Sequence, residues 1–282
     1  MGRAPSTNEE TSIRLHDALR EIDGPRFVGL LEELTPAVPA WIKAHLEMEH
    51  SHPSPSGITR CRLQQWFDAK KMPPDQEIPV GWKLRRMMGI ISEPLWLALL
   101  GLAGFDVSLP DACLPCGPKM LAHPDAVLDG EFPFELKSKS GVGFKMLMES
   151  AGVADEEPGD FAQLQLSIFA AKADWGLYVA TPPDPGMLQA DLRRKKRYGR
   201  DYELDPVYVQ WVPRDDATIE AMLSRAELLA ADAERDEPPP REYDGLPEDP
   251  RTGKRTWPCG YCIHLDKCND TYGLGEGIEF EE

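Results

Sequence analysis

HPDAVLDGEFPFELK, residues His123 to Lys137, reads as a β-hairpin. Asp125 to Leu128 forms one run and Phe132 to Lys137 the other. Asp129-Gly130 makes the turn, since both positions tolerate positive φ. Side chains alternate along a strand, so Glu135 and Lys137 share a face while Leu136 turns into the core. Asp125, on the neighbouring strand, can bring a second carboxylate to that face. Two carboxylates and a lysine at one sheet edge can hold a hard divalent cation and polarise a water beside it. An isolated Glu-x-Lys equally fits a surface cross-strand ion pair, so the flanking sequence has to discriminate.

Upstream, residues 82–104 (WKLRRMMGIISEPLWLALLGLAG) form a long, mostly apolar helical stretch with Glu93 as its single acid. A carboxylate between Ile91 and Leu95 needs a cationic partner if buried; it equally fits a solvent stripe, or a new helix start before Pro94. Cys113 and Cys116 form an isolated C-x-x-C, expected to be a loop without metal. Downstream, Ser138 to Gly143 is polar and suited to approaching a phosphate backbone. Asp160-Phe-Ala-Gln163 reads as an N-cap with a reciprocal glutamine at N3. The following helix, FAQLQLSIFAAKA, should pack on the sheet with Gln163 and Gln165 near its first turns. Strands are expected over Trp175–Thr181 and Leu204–Val212, then an exposed acidic helix over Asp216–Asp236 and a proline-rich linker or strap over Glu237–Pro250.

The chain has 282 residues and a formal charge of −17, which opposes non-specific coating of nucleic acid but allows a local basic track. Arg193, Arg194, Lys195, Lys196 and Arg197, followed by Tyr198, form the one concentrated basic run and the best candidate for such a track, with Tyr198 available for stacking; a solvated loop is the alternative. The longest apolar run, Pro94 to Phe105, is too short to span a bilayer. Residues 1–12 are polar, with no apolar signal region, and are expected to be disordered. Six cysteines without a secretory signal point to a reducing, cytoplasmic setting and to metal ligation. Cys259, Cys262 and Cys268 are spaced C-x₂-C-x₅-C, and Cys61 is the free candidate for a fourth ligand of an iron–sulfur cluster. Zinc could use the same thiolates or recruit His264.

With these pieces in place, the chain resembles the PD-(D/E)XK nuclease superfamily, and within it RecB-type iron–sulfur exonucleases, the CRISPR-associated protein 4 family and its phage-borne relatives. The likeness covers about residues 54 to 270. It rests on an early cysteine, Gly89-Ile-Ile-Ser-Glu93, Asp125, Glu135-Leu-Lys137, a glutamine-bearing helix and the terminal cysteines, in that order. The resemblance implies an α/β, restriction-endonuclease-like core with a central mixed sheet flanked by helices. A helical iron–sulfur region would join the N- and C-terminal segments. The implied organisation is a disordered stretch at 1–12, a helical region at 13–80, the nuclease core at 81–235, and a linker with the cluster segment at 236–282.

It further implies that Glu93, Asp125 and Glu135 coordinate Mg²⁺ or Mn²⁺, and that Lys137 positions or helps deprotonate the attacking water. Gln165 fits the family pattern as the site glutamine because Phe169 follows four residues later, where tyrosine is usual. Gln163 fits the Q-x-Q of phage exonucleases and, with Lys139 and the basic run, would contact DNA. Cys61, Cys259, Cys262 and Cys268 would hold a 4Fe-4S cluster. The implied activity is DNA exonuclease action on single strands or ends, in recombination, repair or CRISPR adaptation, alongside proteins of those processes and with an oligomer allowed. A non-catalytic DNA-binding adaptor and a structure-specific endonuclease are the competing readings.

Overall fold

The computed structural model of the protein describes residues 6–20, 25–34, 53–78, 80–109, 114–117, 119–182, 207–242, 259 and 262–272. The helices are α1 (Asn8–Arg20), α2 (Pro25–Leu34), α3 (Arg62–Ala69), α4 (Val80–Leu102), α5 (Gly141–Glu149), α6 (Val153–Glu156), α7 (Pro158–Ala171), α8 (Asp216–Glu234) and α9 (Leu265–Tyr272). The strands are β1 (Val107–Ser108), β2 (Leu114–Gly117), β3 (Met120–Ala122), β4 (Ala126–Leu128), β5 (Phe132–Ser138), β6 (Trp175–Thr181) and β7 (Tyr208–Pro213).

The central sheet runs β1-β4-β5-β6-β7. β5 and β6 are parallel and every other neighbouring pair is antiparallel. The parallel step follows from the crossover through α5, α6 and α7, since parallel neighbours need a long connection. The hairpin forms as its sequence dictates: Asp129 and Gly130 take φ of 53° and 68°, and Ala126 faces Phe134 across the β4–β5 pair. Asp106 ties the turn down, its carbonyl accepting from Asp129 N at 2.7 Å and its amide donating to Asp129 Oδ1 at 2.8 Å.

Alternation along β5 and β6 divides the core in two. Phe134, Leu136, Leu177 and Val179 pack with Leu15 of α1 and the Trp96–Ala103 end of α4. On the other face Tyr178 and Ala180 pack with Phe144 and Leu147 of α5 and Leu164 and Ile168 of α7. Gly176 lets α7 lie this close: a Cβ there would stand 2.8 Å from Leu164 Cδ1 and 2.9 Å from Ile168 Cγ1. A β2–β3 hairpin packs with α7 and α8 to one side. Among the described residues no helix is long and apolar enough to cross a membrane.

Several local expectations change. Residues 8–12 are not disordered but open α1, because Asn8 Oδ1 accepts from Trp211 N at 2.7 Å and Thr11 Oγ1 accepts from Trp211 Nε1 at 2.9 Å. α4 runs through Pro94 without restarting. Gly141 already begins α5, with Ser140 Oγ accepting from Gly143 N at 3.2 Å, so the polar segment after β5 is a capped helix start. α7 starts at Pro158, which puts Asp160 inside the first turn rather than at the cap. Cys116 is buried in β2, while Cys113 lies outside the described residues. The helix expected to be exposed, α8, buries Ile219, Ala226 and Leu229.

Candidate active site

Glu135 and Lys137 project from β5 toward α7, on the side of the sheet opposite Leu136, as strand alternation requires. Glu135 is 1 % exposed. Lys137 Nζ donates to Glu135 Oε1 at 2.5 Å and to Gln163 Oε1 at 3.0 Å, and Gln163 Nε2 donates to the same Glu135 oxygen at 2.7 Å. The three side chains close a ring in which every polar atom on that side is used. The other carboxylate oxygen, Glu135 Oε2, is buried and has no partner.

Asp125 precedes β4 and is fixed by β5: its amide donates to Phe134 O at 3.0 Å, and its Oδ2 accepts from Leu136 N at 2.7 Å. Glu93 reaches the cluster from α4, close enough that the charges of Asp125, Glu135 and Lys137 all act on it. Its Oε2 is also buried and unpartnered.

Electrostatics report the same crowding. Burial pushes Glu93 up to about 10, with Asp125 and Glu135 adding repulsion. Burial raises Glu135 to about 8 against the opposing pull of Lys137, and raises Asp125 as well. Lys137 stays firmly protonated: burial alone would lower its pKa, but Glu135, Asp160 and Asp125 together hold it above the ordinary lysine value. Carboxylates that resist ionisation around a fixed ammonium are short of positive charge.

Asp160 is a fourth acid that sequence reading treated only as a helix cap. Its Oδ2 accepts from Lys139 Nζ at 2.6 Å and from Tyr178 OH at 2.8 Å. Despite burial, Lys137 and Lys139 hold its pKa below the usual carboxylate range. A signal for it was available: Asp160 and Gln163 are three apart on one helix, so the face that brings one to the site brings the other.

The same geometry reverses the glutamine assignment. Gln165, two residues on, points away from Glu135. It is fully buried, donating through Nε2 to Pro213 O at 2.8 Å and accepting at Oε1 from Asp215 N at 2.8 Å. The glutamine at the acids is Gln163. Lys139, expected to contact DNA, is paired here with Glu157 at 2.8 Å and with Asp160. Arg193, Arg194, Lys195, Lys196, Arg197 and Tyr198 lie outside the described residues.

No protein-family profile and no curated protein matches the sequence. Among solved structures, the chain is similar to an alkaline exonuclease (LHK-Exo) from Laribacter hongkongensis, at 13% identity over 64% of this chain and 87% of that one, with a TM-score of 0.45. The same exonuclease in complex with dAMP gives 15% identity over the same shares and a TM-score of 0.46. A phage related exonuclease from Haemophilus somnus 129PT gives 12% over 64% of this chain and 80% of that one, with a TM-score of 0.43. Likenesses this distant assign neither family nor activity.

The acids do not form a closed ligand set: among the described residues, no three His, Cys, Asp or Glu side chains stand ready to hold one metal ion. What they do offer is two buried, unpartnered carboxylate oxygens, Glu93 Oε2 and Glu135 Oε2, beside a third raised carboxylate. Hard divalent cations take such oxygens, and the residues present fit one.

The four cysteines also converge. Cys61, at the N-cap of α3, lines one cavity together with Cys259, Cys262 and Cys268. None of the described cysteines is in a disulfide. Burial raises Cys61 and pushes Cys262 up to about 11, with the other three thiols adding to the latter. His264 is not on this wall: its Nε2 is 2.8 Å from Asp68 Oδ1 and its ring packs on Phe67. Backbone bonds dock the segment without metal, with Asp75 N and Gln76 N donating to Ile263 O at 3.0 and 3.2 Å, and Asp75 Oδ2 accepting from Lys267 N at 2.9 Å.

Proposed function

We propose that this chain is a metal-dependent nuclease of the PD-(D/E)XK kind, hydrolysing DNA phosphodiester bonds with Mg²⁺ or Mn²⁺ bound by Glu93, Asp125 and Glu135. The observation that carries this reading is the pair of buried, unpartnered carboxylate oxygens, Glu93 Oε2 and Glu135 Oε2, beside a lysine held protonated. Leaving such oxygens buried and unpaired is costly unless a cation takes them. A divalent cation there offsets charge on the scissile phosphate and lowers the pKa of a bound water.

The chain's own residues divide the remaining work. In the ion-free site Glu135, Asp160 and Asp125 hold Lys137 protonated, which suits it as a charged hydrogen-bond donor that orients the attacking water or the phosphate. Gln163 holds Lys137 and Glu135 in one register, leaving Glu135 Oε2 for the cation. Leu136 N fixes Asp125 by taking one of its oxygens.

Four thiols lining one cavity suit a 4Fe-4S cluster or a single zinc ion, and the motif order favours the cluster. Its place in the fold, bridging α3 and the α9 segment, supports a structural role. Preference for single strands or ends, and a role in recombination, repair or CRISPR adaptation, belong to the same proposal on the strength of the motif order.

The deciding experiment is Mn²⁺-dependent digestion of end-labelled linear and of circular single-stranded DNA by wild type, Glu135→Ala and Lys137→Ala. Wild type should degrade linear DNA from its ends and leave circles closed, while both variants stay folded and inactive. Variants that cut as well as wild type would overturn the site assignment, and opened circles would make the enzyme an endonuclease.

A further inference from the structure

Among the described residues, one charged side chain lines the cysteine cavity. Arg241 lines it beside Cys61, Cys259, Cys262 and Cys268, and Arg241 Nη2 is buried without a hydrogen-bond partner. An arginine cannot shed its charge on burial, and a buried donor left unpaired is costly. The nuclease site makes no use of this residue.

Its placement is enforced from both sides. Tyr272 OH donates to Pro239 O, two residues before it. Glu242, immediately after it, accepts from Arg225 Nη1 at 2.7 Å, from Arg225 Nη2 at 3.0 Å and from Arg62 N at 2.9 Å. The Arg62 side chain is in turn paired with buried Asp232. The strap carrying Arg241 is therefore pinned to α3, α8 and α9, with Arg241 half-buried on the wall of the cysteine cavity and its Nη2 out of solvent.

Four thiolates around an oxidised 4Fe-4S cluster, or around zinc, leave a net dianion. Such a charge inside an otherwise apolar wall is unfavourable unless a cation with a free N–H faces it. We propose that Arg241 is the built-in counter-cation of the metal-loaded cysteine centre, donating through Nη2 to a thiolate or cluster sulfur. This rests on the reading that the four cysteines hold a metal centre. Arg241 is a positioning residue there and takes no part in phosphodiester cleavage. Hydrogen bonds to cluster sulfurs help set reduction potential, because they stabilise the more negative, reduced state.

The test compares full-length wild type, Arg241→Gln and Arg241→Lys, purified without air. Iron, acid-labile sulfide and zinc are counted, the reduction potential is titrated, and loss of visible absorbance in air is timed. Arg241→Gln should keep its iron and sulfide, shift to a more negative potential and bleach several-fold faster; Arg241→Lys, which keeps the charge, should fall between. Wild-type potential and bleaching in Arg241→Gln would overturn the role of Arg241 while leaving the cluster standing. If Arg241→Gln does not fold, Arg241→Lys decides by the same two measurements. Should the wild type carry zinc, transfer to a chromophoric chelator replaces the potential: several-fold faster release from Arg241→Gln supports the role, and an unchanged rate overturns it. A wild type holding neither iron nor zinc sinks the cysteine reading, and Arg241 with it.

Discussion

Gln163 and Gln165 are two residues apart on one helix and should fail in opposite ways when removed. Gln165→Ala strips a partner from Pro213 O and from Asp215 N, both of which Gln165 meets at 2.8 Å. Each of these part-buried backbone groups, left unsatisfied, costs about 1–2 kcal/mol, and the emptied volume adds to that. Asp215 is also the N-cap of α8, its Oδ1 accepting from Ala217 N at 3.1 Å, so the loss falls on the joint between β7 and α8. A total of roughly 2–5 kcal/mol lowers Tm by about 5–15 °C in a chain of this size. Gln165→Met, which refills the volume without the hydrogen bonds, should recover only part of the loss. Below its melting point Gln165→Ala should cleave DNA at close to the wild-type rate. Gln163→Ala should melt within about 2 °C of wild type, since Lys137 still holds Glu135, yet lose about 10²-fold in rate through misplacement of Lys137 and Glu135. Circular-dichroism melts and Mn²⁺-dependent digestion of linear DNA, run on all three variants, separate the two roles. Gln165→Ala with a wild-type Tm and no cleavage, or Gln163→Ala with the reverse pattern, would refute the assignment.

Other perturbations test the surrounding structure. Burial raises Glu135 from 4.5 to about 8 and Glu93 from 4.5 to about 10, so the ion-free folded chain binds more protons than the unfolded chain above pH 5. Its stability should therefore fall as pH rises from about 5 to 8. Melts in chelator at pH 5.5 and 8.5 check this, and a higher Tm at the alkaline pH would contradict it. Over the same window affinity for Mn²⁺ should rise, because the cation displaces those protons; calorimetry in buffers of different ionisation enthalpy should detect their release. Gly176→Ala should destabilise by about 1–3 kcal/mol, with Leu164 and Ile168 forced off β6, and a wild-type melting curve would show that α7 has slack the packing denies. Cys262→Ala, purified without air, should lose its brown colour and its sulfide together; retention of both would remove Cys262 from the cluster.

The hairpin was legible because two independent signals agreed, an Asp-Gly turn and strict alternation across Phe134, Glu135, Leu136 and Lys137. Glu93 stood out as the one acid in an apolar helix, although only the family resemblance, and nothing in the helix pattern itself, pointed to Asp125 and Glu135 as its neighbours. Motif position alone did not separate the two glutamines, but helix geometry does: Asp160 and Gln163 fall on one face, whereas Gln165 is turned well away. Lys139 looked free because its partner Glu157 lies across a helix connection that local pattern does not encode. The structured start of α1 escaped notice for a similar reason, as its anchor Trp211 comes some 200 residues later. Strand order was equally beyond local reading, because β1 pairs with β4 across an intervening β2–β3 hairpin.

Ile263, between Cys262 and Cys268, accepts backbone hydrogen bonds from Asp75 and Gln76 in the loop after α3, while Cys61, on the same cavity, comes about 200 residues earlier in the chain. If the four cysteines hold a metal centre as proposed, that centre cannot be completed until Cys268 has been synthesised. Whatever delivers the metal would then meet a chain in which Cys61 and the whole central sheet are already made.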